Sequence, residues 1–286
     1  MIDRAWLVLR ALALVLVLQA VGGALFCLMF RGASARAAEV VKGTAWRVSL
    51  IALAVVAGQA LFEPVHLAGE ASGLTDQPLL RVFIGSTVAQ ALALRLAGVG
   101  CASFALWRGA APSTVAIAAA VLLTSASFPM TGHTTVAAHR ALPQALLFVH
   151  VSVVTFWFGA LWPLRQVLSL DAPADAARTI TAFSRVAVRL VPWLAIAGAL
   201  LAALLLPDAA ALARPWGLLL LGKVLLFTAL MALAALNRLR LTPALARAEG
   251  QAAARLSRTI ALEYLLICVT LAVTAVMTGS FSPAVE

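Results

Sequence analysis

Apolar residues run through this chain in long unbroken stretches, separated by short clusters of charge, proline and glycine. A helix rises about 1.5 Å per residue, so roughly 20 apolar residues cross the hydrocarbon core of a bilayer. Stretches at 5–30, 45–66, 80–107, 112–130, 143–165, 185–206, 214–237 and 258–280 meet that length, and the fourth is the shortest. The pattern predicts an all-α, polytopic membrane bundle of about eight transmembrane helices. No segment alternates apolar and polar residues as barrel strands do. No internal repeat is visible, and no extramembrane stretch is long enough to fold by itself. Residues 1–286 therefore read as a single transmembrane domain.

Composition supports lipid as the solvent. The chain is 63% hydrophobic and 11% charged, with mean hydropathy +1.03. A soluble core cannot hide that much apolar surface. The first stretch runs from Trp6 to Phe30, longer than a signal-peptide core of about 7–15 residues. It reads as a retained span, although Ala33-Ser34-Ala35 resembles a cleavage site.

A net charge of +10 describes topology here, not nucleic-acid binding. Lys and Arg gather in cytoplasmic loops. Arg31, Arg36, Lys42, Arg47, Arg108, Arg165, Arg178, Arg185, Arg238, Arg240, Arg247, Arg255 and Arg258 follow the odd-numbered predicted helices. The opposite side holds Arg4, Arg81, Arg140 and Arg214. Both termini are therefore expected outside, in the periplasm of a Gram-negative cell, with the protein in the inner membrane. Cys27, Cys101 and Cys268 fall inside spans. An odd set of buried thiols makes no disulfide framework.

This topology gathers the imidazoles at one end. His66 closes the second predicted helix, while His133 and His139 lie in the outer loop before the fifth. His150 sits about 10 Å below the outer surface. Met130 and Met277 end helices on the same side. Thioether favours Cu(I), and imidazole suits both copper states. Copper, as Cu(I) or Cu(II), is therefore the expected metal. No HExxH or CxxC spacing is present. His150 lies within an apolar helix, where an ionisable group is costly and points to function. Gly159 and Ala160, on the same helix, permit close helix approach.

Four charges also fall inside spans: Glu63, Arg95, Lys223 and Glu263. Such charges usually pair or line a wet cavity. Matched depth predicts an Arg95–Glu263 pair and a Lys223–Glu63 pair. Arg10 and Arg189 lie near helix ends and can snorkel.

Several segments resemble the bacterial copper resistance protein D family, CopD. They are Thr131-Gly132-His133, then His150, then Trp157-Phe158-Gly159-Ala160-Leu161. Farther on come Phe183-Ser184-Arg185, Lys223, Ala235-Leu236-Asn237-Arg238, and Arg258 with Glu263. The resemblance is strongest over 120–280. It implies an eight-helix inner-membrane protein of copper uptake or tolerance, with a separate periplasmic CopC-like partner. It singles out His133 and His150 as copper ligands, whereas His66 and His139 rest on topology.

The leading expectation is a copper transporter, not an enzyme, working from periplasm to cytoplasm. Gln59, Gln90, Thr124 and Lys223 are the visible polar steps on an inward route. Two alternatives stand beside it. One is a membrane b-type cytochrome with axial histidines such as His66 and His150. The other is a copper sensor or docking protein without transport.

Overall fold

A computed structural model describes residues 2–30, 32–107, 113–132, 140–206 and 208–281. His133 and His139 lie outside the described residues. Among those residues the chain is helical, with no strand. Ten α-helices follow in order: α1 (Ile2–Met29), α2 (Ala35–Ala68), α3 (Gln77–Ile84), α4 (Thr87–Trp107), α5 (Thr114–Ser127), α6 (Ala141–Leu170), α7 (Pro173–Leu205), α8 (Pro215–Leu236), α9 (Thr242–Ala246) and α10 (Ala252–Ser280). Among the described residues seven are long and apolar enough to cross a membrane. The eighth expected span corresponds to α5, which is apolar but shorter, with 14 residues. This is a multi-pass helical membrane protein.

Local chemistry explains where helices begin and end. Ser34 caps α2, its hydroxyl accepting from the Ala37 N–H at 3.2 Å. At the other end Gly69 takes a left-handed conformation (φ 75°), and its N–H donates to the His66 carbonyl. Glycine is favoured there because it has no Cβ to clash. Asp76 caps α3 by accepting from the Leu79 N–H at 3.0 Å. Ser86 does the same for α4, accepting from the Ala89 N–H.

That last cap corrects the expected helix 80–107. Gly85 and Ser86 break it into a short surface helix, α3, and the span α4. The spanning part therefore starts seven residues later than the apolar run suggests. Elsewhere the helices outrun their apolar stretches. α7 begins at Pro173 instead of 185, because Ala176, Ala177, Ile180 and Phe183 still bury one face against the core.

α1 is the central helix. It packs against α2, α4, α5, α6 and α10. Two apolar clusters meet on it. One joins α1 to α2, α6, α7 and α10; the other joins it to α2, α4 and α5. The closest approach is at Gly22 and Gly159. A Cβ on Gly159 would stand 2.2 Å from the Gly22 Cα, and one on Gly22 would stand 2.0 Å from the Thr155 carbonyl oxygen. The expected small-residue face of α6 thus meets a matching glycine on α1, as tight membrane helix pairs do. The Gln19 amide ties the crossing by donating to the Gly159 carbonyl at 3.2 Å.

The start of α1 meets the end of α10. Arg10 donates to the Thr278 hydroxyl at 2.9 Å, and Gly279 packs against Trp6. The start of α1 and the end of α10 therefore share a membrane surface. The end of α2 joins them, because His66 stacks on Trp6. We call this the histidine end. At the opposite, arginine-rich end the Ser34 hydroxyl and N–H both donate to Asp171.

Candidate metal site and intramembrane charges

The histidine end holds two separate polar groups. The first lies between α1, α2 and α4. Glu63 is buried and accepts from the Trp6 indole N–H at 2.7 Å. The same indole stacks on His66, with centroids 4.2 Å apart and planes 14° apart. His66 Nδ1 stands 3.3 Å from the exposed Asp3 carboxylate, outside hydrogen-bond geometry. The Arg10 guanidinium lies 5.0 Å above the Trp6 ring. Arg10 and Arg95 are both within electrostatic reach of Glu63.

Both expected ion pairs are corrected here. Arg95 does not meet Glu263. It donates to the Ser127 hydroxyl at 3.1 Å and lies 4.8 Å over the Phe128 ring. The cause is the break at Gly85. With α4 starting at Thr87, Arg95 falls about 12 Å below the histidine end, short of the midplane. Glu63 is correspondingly matched with Arg10 and Arg95 and not with Lys223. Arg10, expected to snorkel, reaches toward that surface: it donates to Thr278 in the last turn of α10 and lies over Trp6, one turn nearer the start of α1.

The second group lies between α6, α7 and α8. His150 Nδ1 is 3.2 Å from the Leu194 carbonyl oxygen. That oxygen can only accept, so Nδ1 carries the proton. Nε2 is then the atom with the lone pair, the usual arrangement for a metal-binding imidazole. Gly198 makes room for the ring: a Cβ there would stand 3.2 Å from His150 Cε1. Lys223 is within electrostatic reach of His150.

The remaining candidates are dispersed. Met277 is buried in the last turns of α10. Met130 is half-buried just beyond α5. His66 and His150 are held by different helices and share no contact. Among the described residues no three His, Cys, Asp or Glu side chains converge on one point.

A third polar group lies toward the arginine-rich end, and sequence reasoning missed its core. After α8 the chain widens into one π-helical turn, Asn237–Leu241. Such turns are rare and frequent at functional positions. Asn237 donates to the buried Glu263 carboxylate at 2.6 Å and accepts from the Thr259 hydroxyl at 2.5 Å. Thr242 donates to the Asn237 carbonyl at 2.8 Å, closing the widened turn. The Trp157 indole approaches the same Glu263 carboxylate. The clue available in the sequence was a polar Asn at the foot of an apolar helix, level with an intramembrane Glu.

Residues 177–277 match the family model of copper resistance protein D, CopD. The match runs from the second turn of α7 to Met277, inside the 120–280 stretch where the resemblance was strongest. Lys223, Asn237 and Glu263 fall within the CopD region. His66, Met130 and His150 precede it. No curated protein and no solved structure matches the chain. The chain is thus a multi-pass membrane protein in which residues 177–277 are similar to copper resistance protein D.

Proposed function

We propose that this protein carries copper across the inner membrane, from periplasm to cytoplasm, with copper entering at the histidine end. Copper here is cargo, taken up as Cu(I) or Cu(II). The observation that carries the reading is His150: an imidazole inside a CopD-bearing bundle, with Nδ1 held by the Leu194 carbonyl and Nε2 left to ligate. His133 and His139 are sequence neighbours on the loop leading into α6, and with Met130 and Met277 they complete the proposed ligand pool. His66 is a weaker member, because its ring already stacks on Trp6.

The orientation follows from the basic residues, which gather at the end opposite His66. A separate periplasmic CopC-like protein is the proposed donor. Transport and not catalysis is the proposed activity. His150 and Lys223, within electrostatic reach of one another inside the bundle, support an inward route there.

The haem alternative gains less support. His66 and His150 pack on different helices and do not face each other across a common space. A sensor or docking role without transport is separated by flux.

The test is copper bound per purified chain, alone and as His133→Ala plus His150→Ala, followed by copper flux into proteoliposomes. Loss of bound copper and flux in the double variant supports the entrance site. Unchanged stoichiometry rejects it, and a Soret band on the purified protein favours haem.

A further inference from the structure

Glu263 is buried in α10, and the proposed copper site makes no use of it. Its carboxylate is held by neutral donors. Asn237, in the π-helical turn after α8, donates to it at 2.6 Å, and the Trp157 indole of α6 reaches the same group. Among the described residues Glu263 forms no ion pair. The charged groups on the elements around it are engaged or exposed. On α10 itself Arg255 and Arg258 are exposed, and Tyr264 stacks on Phe158. On α6 Arg165 donates to Ser257 and lies over Trp162. In the π-helical turn Arg238 donates to Ser184 and Arg240 is exposed, and after α9 Arg247 pairs with Glu249. Cys27 of α1 and Cys268 of α10 add thiols but no cation. A carboxylate away from water needs a cation beside it or a proton on it. Glu263 thus has the surroundings of a proton-binding group.

Two further observations give that proton a route and a consequence. Thr259 is half-buried on the side of exposed Arg258, and its hydroxyl donates to Asn237 at 2.5 Å. Hydrogen bonds therefore run from the arginine-rich end through Thr259 and Asn237 to Glu263, which lies about 8 Å deeper than Arg258. The same two helices that hold Glu263 also reach the histidine end. α6 carries His150 about two turns from Trp157, and α8 carries Lys223 about four turns from Asn237. A proton on the carboxylate removes the charge that both donors stabilise, so both bonds weaken together. α6 and α8 feel that change at one end and bear His150 and Lys223 toward the other.

We propose that Glu263 is a proton-binding site reached from the arginine-rich end, and that its occupancy sets copper binding at His150. The proton comes from water on that side and returns to it, so one O–H bond forms or breaks and no electron moves. The second half of the proposal rests on copper being the cargo; the first does not.

The full chain, purified in detergent, is titrated with acid while infrared difference spectra are recorded. The carbonyl stretch of a protonated carboxyl group is expected in wild type, with one component missing in Glu263→Gln. Trp157→Phe keeps a ring but removes the donor, and should move the pH at which that component appears. It decides the matter if Glu263→Gln does not fold. Identical spectra in wild type and Glu263→Gln overturn the proton site, and so, in the absence of folded Glu263→Gln, does a spectrum unmoved in Trp157→Phe. Copper affinity is then measured over the same pH range by competition with a chelator. Protonation of the imidazoles weakens binding in wild type and variant alike, so Glu263 is read from the difference between them. Wild-type affinity should change at least about fivefold more than that of Glu263→Gln, the lower end of the usual coupling between sites. Equal pH profiles overturn the link to copper. If wild type binds no copper, the proposed copper role fails, and the infrared component alone decides the proton site.

Discussion

The Asn237 amide donates to the Glu263 carboxylate at 2.6 Å, and the contact joins the only π-helical turn among the described residues to the middle of α10. A carboxylate buried to 3% exposure relies on that donor. Asn237→Leu removes it and leaves the carboxylate with the Trp157 indole but without its amide donor, a cost of about 1–3 kcal/mol. The variant should unfold several degrees lower in detergent. Asn237→Leu combined with Glu263→Met should recover most of the loss, because two apolar partners leave no orphan. A double variant no more stable than Asn237→Leu would show that the bond is not what holds this corner.

Gly159 gives a sharper packing test. A side chain there meets the backbone of α1, which cannot swing aside as a flexible side chain would. Gly159→Val should cost at least the 1–3 kcal/mol or so of ordinary overpacking and reduce monodisperse protein on size exclusion. Gly222→Ala, with open space around the position, should behave as wild type.

Lys223 should weaken cation binding at His150 by repulsion. Replacing it with Met removes a positive charge within electrostatic reach of the ring. Copper affinity, measured by competition with a chelator, should rise by about tenfold at an effective dielectric near 20. Gly198→Val should act in the opposite sense, because its side chain would press the imidazole off the Leu194 carbonyl. If Lys223→Met leaves affinity unchanged while His150→Ala abolishes binding, the ammonium points away from the copper.

Glu63 is shared by two guanidinium groups, so its loss should be non-additive. Glu63→Gln should destabilise more in wild type than in an Arg95→Met background, with a coupling of about 0.5–3 kcal/mol. The charge swap Lys223→Glu with Glu63→Lys should show no rescue at all. Thermal unfolding of the single and double variants checks both statements.

The spans were legible because lipid imposes one simple requirement, a long apolar run, and 258–280 or 143–165 carry it without ambiguity. Depth was not. A mean hydropathy cannot see that Gly85-Ser86 ends one helix and caps the next, and that single break moved Arg95 from the level of Glu263 to that of Ser127 and Phe128. The small face at Gly159 was readable, but its partner Gly22 was one of many small residues in an apolar stretch. Of the expected histidine cluster, His133 and His139 lie outside the described residues, and for His66 and His150 only a shared end was legible. Sequence gives distance along a helix, whereas azimuth decides which helices face each other, and azimuth separates His66 from His150. Asn237 was visible as a residue, but the widened turn that aims it at Glu263 arises from packing.

The central position of α1 has a consequence for assembly. Helices enter the membrane in sequence order, so the central helix enters before α6 and α10. Until α6 follows, Gln19 has no Gly159 carbonyl to meet, and until α10 follows, Arg10 has no Thr278. α1 must therefore wait in lipid with its polar groups uncovered, as a template on which later helices close. Agents that trap polar membrane helices, such as insertion chaperones or the quality-control proteases, would meet this protein during that interval and not after α10 has locked the ring.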